Sequence, residues 1–346
     1  FASASGTQAG VVLGSGDNRI SSTTGMVTLS AAASEVNSLG LVLGFQGVDG
    51  VLQIGSDASS GDITLRTPSL FVGQELGVQT TGTLFVTPPT SGTSIGIGQG
   101  NGSLQISNTL LDALKPGFEA IALGDTENGT GLIDIRNATF TSPVEIVGGS
   151  IFAGELDAAF QSVTLTALTG SIQGAAGESV DITADVVRLE TVTSILLAGR
   201  IGTFTNPVRI DADSLSTDSS ESLSGQFLYA VGVVGIDSLD AGSVIVTLSG
   251  DEFRLNDPDS ISDDTVVSVF SSSAVLNLNG SDETIHGLQG PGEVRLDRST
   301  LTIDTEEVTA FDGVLSGSGN LTKRGSGGLI LNGASTYTGL TIIEDG

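Results

Sequence analysis

The chain is punctuated by short segments of one form: a turn residue, then apolar, polar, apolar. "GVLQIG" at 50–55, "GDITLRT" at 61–67, "GTLFVT" at 82–87, "GSLQIS" at 102–107, "QSVTLTA" at 161–167, "GEVRLD" at 292–297 and "GGLILNG" at 327–333 all show it. Alternation with a period of two places the apolar side chains on one face and Thr, Gln, Asp or Arg on the other. That is the pattern of a strand, and helical periodicity is almost missing. Many short strands fit two architectures, an antiparallel sandwich or barrel and a solenoid of stacked coils. Three features favour the solenoid. The strands are very short. A spacing near 20 residues recurs, as from Leu84 to Leu104 and from Leu301 to Leu321. The outward residues are Thr, Asn, Ser and Asp, which can ladder between coils. The expected fold is therefore all-β, a right-handed parallel β-helix forming an elongated rod. With about 20 residues per coil and about 4.8 Å between coils, roughly 15–17 coils give a rod on the order of 75–80 Å long. Such a rod has no lateral edge strands, but each end exposes an unpaired coil.

Two stretches depart from the pattern. "SNTLLDALKPGFEAIALG" at 107–124 predicts a helical turn, capped by Asn108, with Leu110, Leu111 and Leu114 on its apolar face and Pro116–Gly117 ending it. "GDEFRLNDPDSISDDTVVSVF" at 250–270 is acidic, carries Asp257–Pro258, and predicts a long loop between two repeat families.

Charge narrows the partners. The chain has 346 residues, 40 of them acidic and 12 basic, for a net charge of −28, and Lys115 and Lys323 are its only lysines. It therefore repels nucleic acid and anionic membranes, which need phosphate-neutralising cations. Cysteine is absent; a long repetitive core does not need the disulfides that small secreted domains use. No run of eighteen apolar residues marks a membrane helix. The first residue is Phe1 and no signal peptide is visible, so the chain is expected to be an internal or processed piece of a longer protein.

Residues that could carry chemistry are few. His286, in "DETIHGLQG", is the sole histidine. No nucleophile elbow lies near it, and an exposed turn histidine is expected. "GIGQGNG" at 96–102 has the glycine density of a phosphate loop but lacks the lysine and the following helix, which leaves a corner turn between coils. With no cysteine and one histidine, no transition-metal site is expected. Asp257, Asp259, Asp263 and Asp264 are weak calcium candidates; their spacing fits neither an EF-hand nor a calcium β-roll, and a solvated acidic loop is the alternative. Asp263–Asp264 is also the one candidate carboxylate pair for a polysaccharide-active β-helix enzyme. No cofactor is expected.

The closing "GVLSGSGNLTKRGSGGLILNGASTYTGLTIIEDG" at 313–346 resembles the autotransporter passenger-associated β-strand repeat. The likeness lies in Leu-Thr-Lys at 321–323, Gly-x-Gly at 325–327, Leu-x-Leu at 329–331 and Thr-Tyr-Thr-Gly at 336–339, with departures at Arg324, Ser326, Gly328 and Leu340. Residues 1–250 resemble, more loosely, the repeats of filamentous-haemagglutinin-like adhesins, through "SGDITLRT" and "TALTGSIQGAAGESVDITADVVRLE". The expected divisions are 1–250, haemagglutinin-like repeats; 251–312, the acidic loop and transitional coils; and 313–346, the passenger-associated repeat, with further coils expected after "IIEDG". The resemblance implies a parallel β-helix exported through an outer-membrane pore or barrel to the surface of a Gram-negative bacterium, with no active site. The leading expectation is a non-enzymatic adhesive rod that meets cell or abiotic surfaces, glycans among them, through many weak contacts. A filament or biofilm-matrix subunit that self-associates end to end is the second. A polysaccharide-active enzyme is the third.

Overall fold

The structure is a computed structural model that describes residues 9–13, 18–31, 39–43, 52–72, 76–177, 179–192, 199–222 and 224–345. Residues 50–51 of the first quoted segment, residue 178 and both chain ends lie outside the described residues. The backbone contacts group into two compact units, 1–169 and 170–346.

In the first unit the alternating segments stack in parallel, each strand on the equivalent strand of the next coil. Ile63 pairs with Leu84, Leu84 with Ile121, Ile121 with Val144 and Val144 with Val163. Two residues further along each strand, Leu65, Val86, Leu123, Ile146 and Leu165 form a second column in the same way. All ten side chains are buried. Branched aliphatic residues fit this pleated, fully covered environment, and each contributes about 1.5–3 kcal/mol by leaving water. Ser150–Ala167 shows how one segment builds two faces. Its first half pairs with Leu132–Thr139 and its second with Val144–Gly148. The segment turns at two left-handed residues, Glu155 (φ 55°) within the first half and Phe160 (φ 67°) between the halves.

The spacing from Leu84 to Leu104 is not a coil. Leu104 pairs with Ile95, while the next rung above Leu84 is Ile121. One long coil fills the gap. Its strand Ile95–Gly98 belongs to the stack and pairs with Leu132–Thr139 of the next coil, and the strand Leu104–Ile106 and a helix over Asn108–Ala113 follow it. The helix is where the sequence predicts it, but its N-cap is Ser107, in extended conformation and without a side-chain cap bond, rather than Asn108. Leu114 already has extended backbone angles, so the helix stops before Pro116; the ring of Pro116 disfavours helical geometry at Lys115.

The second unit is built from columns of the same kind. Val208, Leu228, Leu248 and Val269 form one, and Phe253, Leu276, Val294 and Leu315 another. Glu283–Ile285, Thr300–Asp304, Asn320–Arg324 and Thr341–Ile343 form a four-stranded parallel sheet. Here the expected spacing from Leu301 to Leu321 is a true rung. Corners recur at fixed places: Asn279 (φ 52°), Asp297 (φ 33°) and Arg298 (φ 73°) follow strands that pair directly with one another.

Residues 250–270 are not a long loop. Ile245–Leu255 and Val266–Val269 are both strands, because Phe253, Leu255, Val267 and Val269 alternate into the core despite the acidic residues between them. The irregular part is only 256–265. Among the described residues, no helix is long and apolar enough to cross a membrane. The result is a parallel β-solenoid.

Candidate functional site

The acidic loop of the second unit is organised from beneath. Asp257, Asp259, Asp263 and Asp264 are all exposed. Among the described residues no group of three or more His, Cys, Asp or Glu side chains is placed to hold a metal ion. The residue that shapes the loop is Glu283, one coil on, which is 1% exposed. Its Oε2 accepts the backbone N–H of Ser260 at 2.9 Å and of Ile261 at 3.3 Å, and its Oε1 accepts the N–H of Thr284 at 3.1 Å. Burial pushes its carboxyl up to about 8, against those three donors and with help from the negative Asp259. Ser260 Oγ donates to the carbonyl of Asp257, and Asp259 N–H to the carbonyl of Asp282, which pin the loop to the coil.

His286 is not on an exposed turn. It is half-buried between the strands Glu283–Ile285 and Gly287–Gln289, and its backbone N–H donates to the Thr265 carbonyl at 3.0 Å. The short polar run around it is strand because Ile285 and Leu288 on either side point into the core.

The outer face of the second unit carries a charged network. In Glu293–Arg295 the middle residue Val294 is buried and its neighbours face outward. Arg295 Nη1 donates to Glu252 Oε2 at 3.1 Å and Arg295 Nε to Glu293 Oε1 at 3.2 Å. Asn277 Nδ2 donates to Glu252 Oε1 at 2.9 Å, and Ser316 Oγ to Glu293 Oε1 at 2.6 Å. Burial raises the Glu293 pKa, but the Ser316 and Arg295 donors outweigh it and hold the carboxyl below its usual range. The two carboxylates are thus tied to an arginine and to donors from two other strands. That suits a clamp across stacked coils; an ionised, donor-saturated carboxylate is poorly placed to act as a general acid.

The glycine-dense 96–102 loop of the first unit binds a carboxylate of its own chain where a phosphate loop would bind phosphate. Asn101 donates its backbone N–H and Nδ2 to Asp134 Oδ2 at 2.9 and 3.3 Å, and Arg136 Nε donates to Asp134 Oδ1 at 2.9 Å. Burial pushes the Asp134 pKa up, yet these donors and the Arg136 charge keep it below the usual carboxylate value. Asp134 comes from the coil that stacks on Ile95–Gly98.

Sequence reasoning missed Glu283, whose charge in "DETIHG" looks like turn polarity. It also passed over Glu293 and Arg295, although the alternation of "GEVRLD" sets both on one outward face. In the sequence Lys323 stands out only as one of two lysines and as part of the Leu-Thr-Lys motif. Its register partners are Ile303 below and Ile343 above, so it stands in a column with Ile285 and Ile303 and is 5% exposed. Its Nζ donates to the carbonyls of Arg324, Gly325 (2.8 Å) and Thr305 (3.4 Å), one acceptor for each of its protons.

The Passenger-associated-transport-repeat family matches residues 321–346. Those residues begin on the rung Leu301–Leu321–Thr341 and contain Lys323. The chain is also similar to the adhesin BmaC autotransporter of Brucella suis biovar 1 (strain 1330), with 37% identity over 83 residues. The similarity covers 22% of this chain and 2% of that protein, so the chain spans only a small part of its relative's length. No solved structure matches the chain. The chain is thus a parallel β-solenoid whose closing coils match a passenger-associated repeat and which is similar over part of its length to an autotransporter adhesin.

Proposed function

We propose that the chain is a non-enzymatic part of an adhesin passenger, carried through an outer-membrane β-barrel and displayed outside a Gram-negative cell. The observation that carries this reading is the placement of the matched repeat. Residues 321–346 are not an appendage; Asn320–Arg324 pairs along its length with Thr300–Asp304, and Leu321 with Thr341, as further rungs of the stack. Stacked coils give a rigid support, and the corners between strands present Ser, Thr, Asn and Asp outward. Many weak contacts on such a surface add up through avidity. The named relative is an adhesin and an autotransporter, which supports both the role and the route of export.

The test uses the full-length precursor in its own cells. An antibody against this chain is expected to label intact cells, and external protease to remove the label. Cells lacking the segment are expected to adhere less to host-cell and abiotic surfaces. Label that appears only after lysis, or adhesion unchanged by the deletion, would overturn the proposal.

A further inference from the structure

The second unit carries an aromatic surface that none of the above explains. Phe204 and Phe270 are 63% and 46% exposed, yet their rings meet edge to face, with centroids 5.2 Å apart and planes at 89°. Register shows how residues so distant in sequence come together. Arg209 pairs with Tyr229 and Tyr229 with Ser249. Leu248 pairs with Val269, which puts Phe270 next in that outward row. The row therefore runs Arg209, Tyr229, Ser249, Phe270 over successive coils, a span of roughly 14 Å. Phe204 reaches over it from the tip of a closed turn, in which Thr203 N–H donates to the Asn206 carbonyl at 2.9 Å and Asn206 N–H to Thr203 Oγ1 at 3.0 Å. The guanidinium of Arg209 lies over the Tyr229 ring, 5.4 Å from its centroid.

Phe71, Phe152 and Phe160 are exposed as well, but Phe204 and Phe270 pair their rings in the open, and leaving both in water forgoes the gain of burial. Aromatic residues make up only 4% of the chain, so an outward pair locked in contact is not a by-product of abundance. We infer that the Phe204–Phe270 corner, with Tyr229 and Arg209 beside it, is a binding platform for an uncharged glycan. Three observations select that occupant. The net charge of −28 repels nucleic acid, acidic polysaccharide and anionic lipid. Two half-exposed rings are far too small for a protein partner, whose stable interface buries about 1,200–2,000 Å². Two perpendicular exposed rings, with Thr203 next to Phe204 in the chain and Ser249 one rung before Phe270 in the outward row, offer apolar faces near hydroxyl groups. A pyranose ring has the complementary form, with C–H bonds on one face and hydroxyls at its edge.

This inference rests on the adhesive reading, and its test separates the two. The purified full chain is titrated with laminarin, yeast mannan and an N-acetylglucosamine hexamer, with heparin and phosphatidylglycerol vesicles as anionic probes. Binding to at least one neutral glycan and to neither anionic probe is expected. Phe204→Ala and Phe270→Ala are each expected to weaken that binding about tenfold. Both rings are exposed, so far-UV circular dichroism and melting should match the parent and confirm that folding is intact. No binding to the neutral glycans, or binding unchanged in both variants, overturns the inference. So does a parent dimer that either variant dissolves in sedimentation, which would assign the corner to a second copy of the chain. If cells carrying both substitutions in the precursor still adhere, the platform falls and the adhesive reading stands. If the purified chain binds glycan while cells lacking the segment adhere normally, the adhesive reading falls instead.

Discussion

Lys323 occupies a position where the coils before it place isoleucine. A buried ammonium is tolerated only when its protons find acceptors, and here three corner carbonyls supply them. The side chain is in effect an internal cap for two stacked corners, one at Thr305 and one at Arg324 and Gly325. Lys323→Met keeps the length and apolar stem but removes the ammonium donor from all three carbonyls; those of Thr305 and Arg324 keep the backbone N–H groups of Gly327 and Thr305, and that of Gly325 loses the Lys323 bond. It is expected to destabilise the second unit by about 1–3 kcal/mol, read as a lower urea midpoint. Glu283 has the opposite relation to its site, because burial disfavours its charge. Its pKa rises from an ordinary 4.5 to about 8 on folding, so the fold prefers the protonated acid. The stabilisation is full below the unfolded value and is lost as pH climbs from about 4.5 through 8. Melting temperature should accordingly fall across that window, and Glu283→Gln should flatten the decline. An equally steep decline in the variant would show that Glu283 is not its source.

Elements stack closely here because backbone meets backbone at the corners. A Cβ on Gly313 would lie 1.9 Å from the Gly292 carbonyl oxygen, and one on Gly333 would lie 1.8 Å from that of Gly313. Neither oxygen can move without breaking its rung. Gly313→Ala is expected to cost about 1–3 kcal/mol in urea unfolding, although alanine is among the least demanding substitutions. These same elements show what sequence can and cannot reveal. Ile63, Leu65, Leu84 and Val86 announce their strands by alternation, and Leu301 and Leu321 announce their rung by spacing. Leu84 and Leu104 have the same spacing and are not partners, because spacing cannot separate a full coil from two strands of one long coil. The acidic 250–270 stretch misled in the other direction. Its Asp and Glu residues masked the inward alternation of Phe253, Leu255, Val267 and Val269. Glu283 was illegible for a deeper reason: its role depends on which coil lies beside it, and only register supplies that.

At the scale of the whole chain, the excess of acidic residues sets a background repulsion that no single pair relieves. Surface ion pairs such as Arg324–Glu344 are exposed and contribute little. Screening should therefore help: raising salt from roughly 10 mM to 150 mM shortens the Debye length from about 30 to about 8 Å. The melting temperature is expected to rise with it, and a flat or falling trend would show that the repulsion is unimportant. The stack also separates two properties that most folds entangle. Between Leu65 and Val86 the chain makes an ordinary coil through the strands Leu70–Val72 and Leu76–Gln79, while between Val86 and Leu123 it makes a longer one that also carries a helix, and the rungs meet equally well in both cases. Lengthening a flexible detour is cheap, about 0.6 kcal/mol for each doubling. The exposed turn at Thr126–Glu127, set between paired strands, is thus a natural insertion port. A foreign peptide spliced there would ride as cargo on a chassis whose own assembly does not register its presence.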